Sequence, residues 1–312
     1  MHQEVRDFRL LWFGLGFLWL LDAALQLQPA MFTAAFSQAV LWNNVYMYQP
    51  PALAQLLAQA ARVETGHLVL LDAVVVAIQV ACGVSLFFWR TRLAGLWLGL
   101  AWAVAVWVLG EGLGFLATGT AQSISGAPGS ALMYAALSLV GLMALRHGRV
   151  VGVRSARVAW TSYWLLGALL QLPIRYGAGA VLAYNLQTAA QELPGPLSRL
   201  DYSLAHQAFV HPLPSALGVA LIELGLAVAI WWRPTALPCL LAGMLLSVPF
   251  WVLGQGMGGI TTGVATDPST APSVVLLGLV LWRALSGRPR LGAAAAERGG
   301  GAVRAAAVQR GS

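Results

Sequence analysis

Apolar runs recur along this chain at lengths suited to a bilayer, separated by short polar turns. About 20 apolar residues cross the ~30 Å hydrocarbon layer. Eight runs approach that length, at roughly 9–27, 67–89, 93–112, 130–146, 159–174, 212–232, 235–255 and 272–285. The first and fifth runs are each followed by a longer segment of mixed character, about 28–66 and 175–211. There PAMFTAAFSQAVLW, PPALAQLLAQAARVE and GAVLAYNLQTAAQ combine apolar residues with Gln, Asn and Ser at helical spacing. That pattern predicts short amphipathic helices lying on the membrane interface. Trp42, Tyr46, Tyr48 and Tyr184 suit that level, where aromatic rings favour the boundary.

The pattern also repeats. Residues 107–132 read WVLGEGLGFLATGTAQSISGAPGSAL, and 144 positions later residues 251–276 read WVLGQGMGGITTGVATDPSTAPSVVL. Thirteen of those positions are identical without a gap. The same offset carries His67 onto His211 and Gln79 onto Glu223, and DAALQLQP from Asp22 echoes GALLQLP from Gly167 one residue out of step. A tandem duplication follows, with four-helix units at 1–150 and 151–286. An even number of crossings per unit orients both the same way, related by a pseudo-twofold along the membrane normal. The expected fold class is therefore all-α integral membrane: eight transmembrane helices as two parallel four-helix repeats with outer amphipathic helices. Residues 287–312, rich in Gly, Ala and Arg, lack apolar periodicity and read as a disordered cytoplasmic tail.

Composition agrees, since 59% hydrophobic against 9% charged residues lies outside the range of soluble domains. All 18 basic residues are arginine. Fifteen fall on one expected side, and Arg62, Arg175 and Arg199 on the other, which places both termini in the cytoplasm of a multi-pass cell-membrane protein. The N-terminus, with Glu4, Arg6, Asp7 and Arg9 ahead of the first run and no small-residue cleavage pattern, reads as retained. The high isoelectric point follows from this bias, so the lipid bilayer is the expected partner and nucleic acid is not; a lipid-binding patch at 146–157 is the weaker alternative. Cys82 and Cys239 occupy unmatched positions inside apolar runs and read as packing residues.

Ionisable groups inside a membrane are costly and therefore functional candidates. Asp22, Asp72, Glu111 and Glu223 qualify, with His67 and His211 near the boundary. At 1.5 Å per residue, Gln26, Asp72 and Glu111 reach roughly 25–28 Å above the inner arginines, with His67 slightly higher and Asp22 about a turn deeper. Gln171, Gln255 and His211 hold that level in the second half. Asp22, Gln26, His67, Asp72 and Glu111 thus outline an outward-facing polar site. A His with two carboxylates, as in His67, Asp72 and Glu111, suits a divalent metal or proton exchange with a bound quinol. The alternative is that His67 and Asp72 face headgroup water while Glu111 braces its loop through backbone N–H bonds. Gln79 with Glu111 is exchanged for Glu223 with Gln255, but a depth difference of roughly 11 Å argues against direct pairing. No bis-His pair at matched depth supports haem.

The repeated loop carries glycines at alternate positions, Gly110, Gly112 and Gly114 against Gly254, Gly256 and Gly258. Glycine permits φ > 0 and close backbone approach, and Pro128 and Pro272 are placed to open the next helices. Either the loops pack helices as tight turns or they line an outward pocket. A nucleotide-binding loop is excluded by the missing strand and lysine.

LIELGLAVAIWWRPTALP in the second half and IQVACGVSLFFWRTRLAG at the matching place in the first each form an apolar helix ending in an aromatic-Arg turn. With the four-helix layout, this resembles the DoxX/DoxD-like membrane proteins. The resemblance implies a membrane-embedded subunit of a redox complex, with quinone as the implied cofactor and a membrane or extracytoplasmic redox protein as partner. A small-solute or metal-ion transporter and a non-catalytic scaffold are the alternatives, and no enzymatic activity is assigned.

Overall fold

The computed structural model describes residues 9–147, 151–172 and 177–286. Every regular element among them is helical. The first half contains α1 (Arg9–Gln26), α2 (Pro51–Gly66), α3 (Leu68–Phe87), α4 (Arg92–Leu109) and α5 (Ser130–His147). The second contains α6 (Val153–Leu170), α7 (Ala178–Glu192), α8 (Gly195–Val210), α9 (Pro212–Ala229), α10 (Arg233–Pro249) and α11 (Thr270–Leu285). The outer segments are helical but unequal: α7 and α8 stand where the first half has four short turns, from Pro29–Phe32 to Asn43–Tyr46, and then α2.

Among the described residues, six helices are long and apolar enough to cross a membrane: Arg9–Gln26, Leu68–Phe87, Arg92–Leu109, Ser130–His147, Pro212–Ala229 and Arg233–Gly254. The other two expected crossings fall short for different reasons. The run expected at 159–174 is a helix over Val153–Leu170, whose first turns carry Arg154 and Arg157. The run at 272–285 starts earlier, at Thr270, and reaches only 16 residues. The run at 93–112 stops at Leu109, because Glu111 N–H reaches back five residues to Val106 O (2.9 Å) and opens the turn. Gln255 N–H does the same to Phe250 O (2.9 Å) after α10 widens beyond Pro249. The tail at 287–312, Arg149 and Arg175 lie outside the described residues.

Helix neighbours follow one order in both halves. α1 packs on α3 and α4 on α5; α6 packs on α9 and α10 on α11. The halves meet where α11 lies against α1 and α5. Glycines make room for large rings in each half: Gly99 faces the Trp19 indole, and a Cβ on Gly243 would stand 2.4 Å from Trp160. Trp19 also meets Tyr134 edge-on at 4.8 Å, and Trp160 meets Trp164 at 5.8 Å. Such close filling makes these positions intolerant of added volume.

The arginine-bearing turns stand at the end of the bundle opposite the glycine loops. In one of them Arg92 lies over the Trp12 ring at 4.8 Å and donates to Leu86 O (3.0 Å). Large apolar side chains on the outer helices, among them Val69, Leu70, Trp97, Leu221, Ile222 and Leu245, face away from the protein. Cys82 and Cys239 are buried and unbridged.

Candidate functional site

Both glycine loops adopt the same left-handed turn. Gly112, Leu113, Gly114 and Phe115 have φ of 54°, 59°, 60° and 58°. Gly256, Met257, Gly258 and Gly259 have φ of 54°, 56°, 71° and 63°. Left-handed backbone costs roughly 1–2 kcal/mol per L-residue, so alternate glycines lower the penalty without abolishing it. Two of them are also needed for space. A Cβ on Gly114 would stand 2.1 Å from Pro128 O, and one on Gly258 would stand 2.8 Å from Asp267 O.

Identical bonds fix the register between the loops and correct the ungapped sequence match. Trp107 Nε1 donates to Pro128 O and Trp251 Nε1 to Pro268 O, each at 2.7 Å. Helix α5 begins two residues after Pro128, and α11 two residues after Pro268. Pro272 is therefore not the counterpart of Pro128 but lies inside the first turn of α11. The first loop is four residues longer, and its extra length holds the turn Ser123–Ser125.

Glu111 and Gln255 occupy matching posts after α4 and α10. Glu111 Oε1 accepts from Ser130 Oγ (2.6 Å) and Ala131 N (2.9 Å) at the start of α5. Gln255 Oε1 accepts from Ala271 N (3.2 Å) at the start of α11. A carboxylate suits a helix N-terminus, whose first N–H groups lack partners. Gly129 admits Glu111, since a Cβ there would stand 2.1 Å from Oε2. The outer segments close over the turns. Asn44 donates to Gly110 O and Gln49 to Gly112 O (3.2 Å), while the Glu192 carboxylate lies over Gly256.

Each loop also reaches into the other half. Ser123 donates to the fully buried Glu223 carboxylate and accepts from Gln171 Nε2 (2.9 Å). Asn185 Nδ2 donates to Gln122 Oε1 and Thr120 O, both at 3.1 Å. In return, the charge of Asp267 acts on Glu111 and Asp22. Gly167, where the first half has Asp22, leaves room for Glu223: a Cβ there would stand 3.0 Å from its Oε1. In the second half the acid thus stands on α9 instead of the unit's first helix, and Gln79 holds the matching position on α3 of the first half.

The expected first-half site is assembled only in part. Asp22 Oδ1 accepts from Tyr134 OH (3.0 Å), and Gln26 Nε2 donates to Asp72 Oδ1 (2.8 Å) one helical turn away. Glu111 is near enough to act electrostatically on Asp22. His67 is exposed at the α2–α3 joint, and His211 is exposed at the α8–α9 joint. Among the described residues no group of three or more His, Cys, Asp or Glu side chains is placed to hold a metal, so His67, Asp72 and Glu111 do not form the expected centre. Gln79 and Glu111 have no bond to each other, and neither have Glu223 and Gln255; the partners of Glu111, Glu223 and Gln255 are those already named.

A cavity of about 680 Å³ opens between the two loops, walled by the 39–47 segment and by α7. Glu111, Glu192 and Asp267 line it together with Asn43, Asn185, Gln191 and Gln255. No arginine or histidine is among its described lining residues. Burial, and then the neighbouring Asp267, push the Glu111 carboxyl up to about 7. Burial alone lifts Glu192 to about 7. Ser123, Tyr134, Glu192 and Asp267 had no signal in the repeat. Ser123 and Asp267 lie where the two loops stop matching in structure, and that lapse in identity was the only mark they left. No protein-family model matches this sequence, and no curated protein or solved structure matches it either.

Proposed function

We propose that this chain is a multi-pass cell-membrane protein of eight crossing helices, in two parallel four-helix repeats with both termini cytoplasmic. It binds a polar ligand from the outer side through the cavity between its glycine loops. The outward-facing apolar side chains of α3, α4, α9 and α10 support the membrane setting. The arginine excess at the end opposite the loops supports the orientation. The common helix order and paired loop bonds support the repeat.

One observation carries the binding role. Both halves hold a costly left-handed turn that lines one cavity, whose wall also carries carboxylates, amides and hydroxyls. Strained backbone persists where surrounding structure over-determines it, and it concentrates at functional sites. A scaffold with loops that only pack helices would not need such a cavity.

The DoxX/DoxD-like resemblance adds membership of a membrane redox complex as a proposal about partners. The quinone it implies finds little aromatic surface in the cavity, where Phe115 and Tyr184 are the only aromatic residues among the described lining. Transport lacks support of its own, since Leu15, Trp19, Trp160 and Trp164 fill the bundle interior.

Purification in mild detergent from the native host, with mass spectrometry of co-eluting proteins, tests the complex. A stoichiometric redox protein is expected. A solitary protein, with oxidant tolerance unchanged in a Glu111→Ala strain, would rule the complex out.

A further inference from the structure

We propose that the cavity binds a neutral sugar, through hydroxyls that donate to Glu111 Oε2 and accept from Gln255 Nε2. The proposal rests on the reading of this cavity as the protein's ligand site and specifies what enters it.

The two matching posts leave opposite needs. Glu111 spends Oε1 on Ser130 Oγ and Ala131 N, and its buried Oε2 has no partner. Gln255 spends Oε1 on Ala271 N, and its buried Nε2 has no partner. Gln255 is 7% exposed, and both residues line the cavity. Buried polar groups are normally paired, so the first half is short of a donor here and the second of an acceptor.

Both posts flank one turn of the first loop. A Cβ on Gly129 would stand 2.1 Å from Glu111 Oε2, and one on Gly126 would stand 3.6 Å from Gln255 Cγ. Gly129 N–H donates to Gly126 O at 2.8 Å, and both glycines border the cavity. The unpaired acceptor and donor therefore belong to one short stretch of its wall.

Few ligands answer both. An ammonium or metal cation accepts no hydrogen bond and leaves Nε2 unpaired. An ionised carboxylate donates none and leaves Oε2 unpaired. No arginine or histidine is among the described lining to hold such an anion, so a zwitterionic amino acid would set its carboxylate beside Glu111, Glu192 and Asp267 without a cation. A hydroxyl donates and accepts at once. With a proton on Oε2 the need of Glu111 reverses, and a hydroxyl still meets it.

The rest of the cavity suits a ligand with several hydroxyls and no charge. Glu111 and Glu192, their carboxyls pushed up to about 7 chiefly by burial, are partly protonated at neutral pH. The wall is thus less anionic than its three carboxyls suggest. Asn185 spends both Nδ2 hydrogens on Gln122 Oε1 and Thr120 O, which leaves its Oδ1 to accept from a further hydroxyl. About 680 Å³ has room for a sugar, since small-molecule sites run from roughly 300 to 1,000 Å³.

Calorimetric titration of glucose, galactose, maltose and trehalose into the full-length protein in lipid nanodiscs tests the proposal, with choline and L-alanine as comparison probes. Saturable binding of at least one sugar is expected, with little binding of choline or alanine. It should weaken about tenfold or more in Gln255→Glu, which removes the donor, and in Glu111→Gln, which removes the carboxylate. Both variants keep the fold, because each places in one half the side chain that already serves the other. Binding of none of the four sugars would overturn the proposal and leave water to the two atoms. Equal affinity for choline or alanine, or sugar binding unchanged in either variant, would also overturn it. A Thr188→Cys variant separates this failure from that of the cavity. Thr188 lines the cavity and is exposed, and both native cysteines are buried. Maleimide modification of the folded variant without sugar binding to the wild type would keep the cavity and reject the ligand. Resistance to modification would reject the cavity itself.

Discussion

Glu111 and Gln255 each accept an N–H at the start of the helix that follows their loop, from Ala131 at 2.9 Å and Ala271 at 3.2 Å. One post is thus filled by an acid in the first half and by its amide in the second. The carboxylate additionally takes the Ser130 hydroxyl at 2.6 Å, and the Asp267 charge acts on it. The duplicated loop has kept its mechanical bond in both copies and its titratable group in one.

Replacing Glu111 by Gln should therefore leave the fold intact, whereas Glu111→Ala should lower stability by about 1–2 kcal/mol through loss of the helix-start bonds. Thermal unfolding in detergent would read the two variants side by side. Equal destabilisation by Gln and Ala would contradict the shared post.

The loop glycines divide by the space around them. Gly114→Ala and Gly258→Ala force a Cβ to 2.1 Å of Pro128 O and 2.8 Å of Asp267 O in left-handed backbone. Each should cost about 2 kcal/mol or more. Gly218→Ala in α9 meets nothing within 4 Å and should be neutral or slightly stabilising. Folded yield by size-exclusion chromatography would separate the two groups, and tolerance at 114 would refute the turn.

Ser123 and Glu223 join the first loop to the second half, so removing the hydroxyl leaves a buried carboxyl oxygen without its donor. Ser123→Ala should cost about 1–3 kcal/mol. In Glu223→Leu the same Ser123 change should cost much less, a coupling that a double-mutant cycle measures. Additive effects would mean that the loop does not cross.

Acidity should favour the fold. Glu111, Glu192 and Asp201 are pushed up to about 7, chiefly by burial, from ordinary values of 4.5 for Glu and 3.8 for Asp. Between those limits the folded protein holds protons that the unfolded chain has released. Their contribution is complete below the ordinary values and is lost as pH rises toward 7. The thermal midpoint is expected to be higher at pH 5 than at pH 8, and Glu192→Gln with Asp201→Asn should flatten the difference. A midpoint that climbs with pH would run against this assignment.

Much of this architecture was legible in the chain. Period and length marked the apolar helices, and the WVLG-x-G repeat located both loops and the Glu111–Gln255 correspondence. Depth counting brought Gln26 and Asp72 to one level, and they are bonded at 2.8 Å. The count carries no direction around the helix axis, and His67, counted slightly above that level, is exposed at the α2–α3 joint. The ungapped match also hid the four-residue difference between the loops, since Ala127–Pro128 and Ala271–Pro272 align in sequence while the structure pairs Pro128 with Pro268. Contacts that cross between halves, such as Ser123 with Glu223, depend on that difference and leave no periodic trace.

The most direct test of the account asks which side of the membrane the cavity faces. Intact cells expressing Thr188→Cys would be treated with a membrane-impermeant maleimide, before and after permeabilisation, with the buried Cys82 and Cys239 as silent background. Labelling of Cys in the intact cells is expected, with no gain on permeabilisation. Labelling only after permeabilisation would put the loops and their carboxylates in the cytoplasm and contradict an outward binding site.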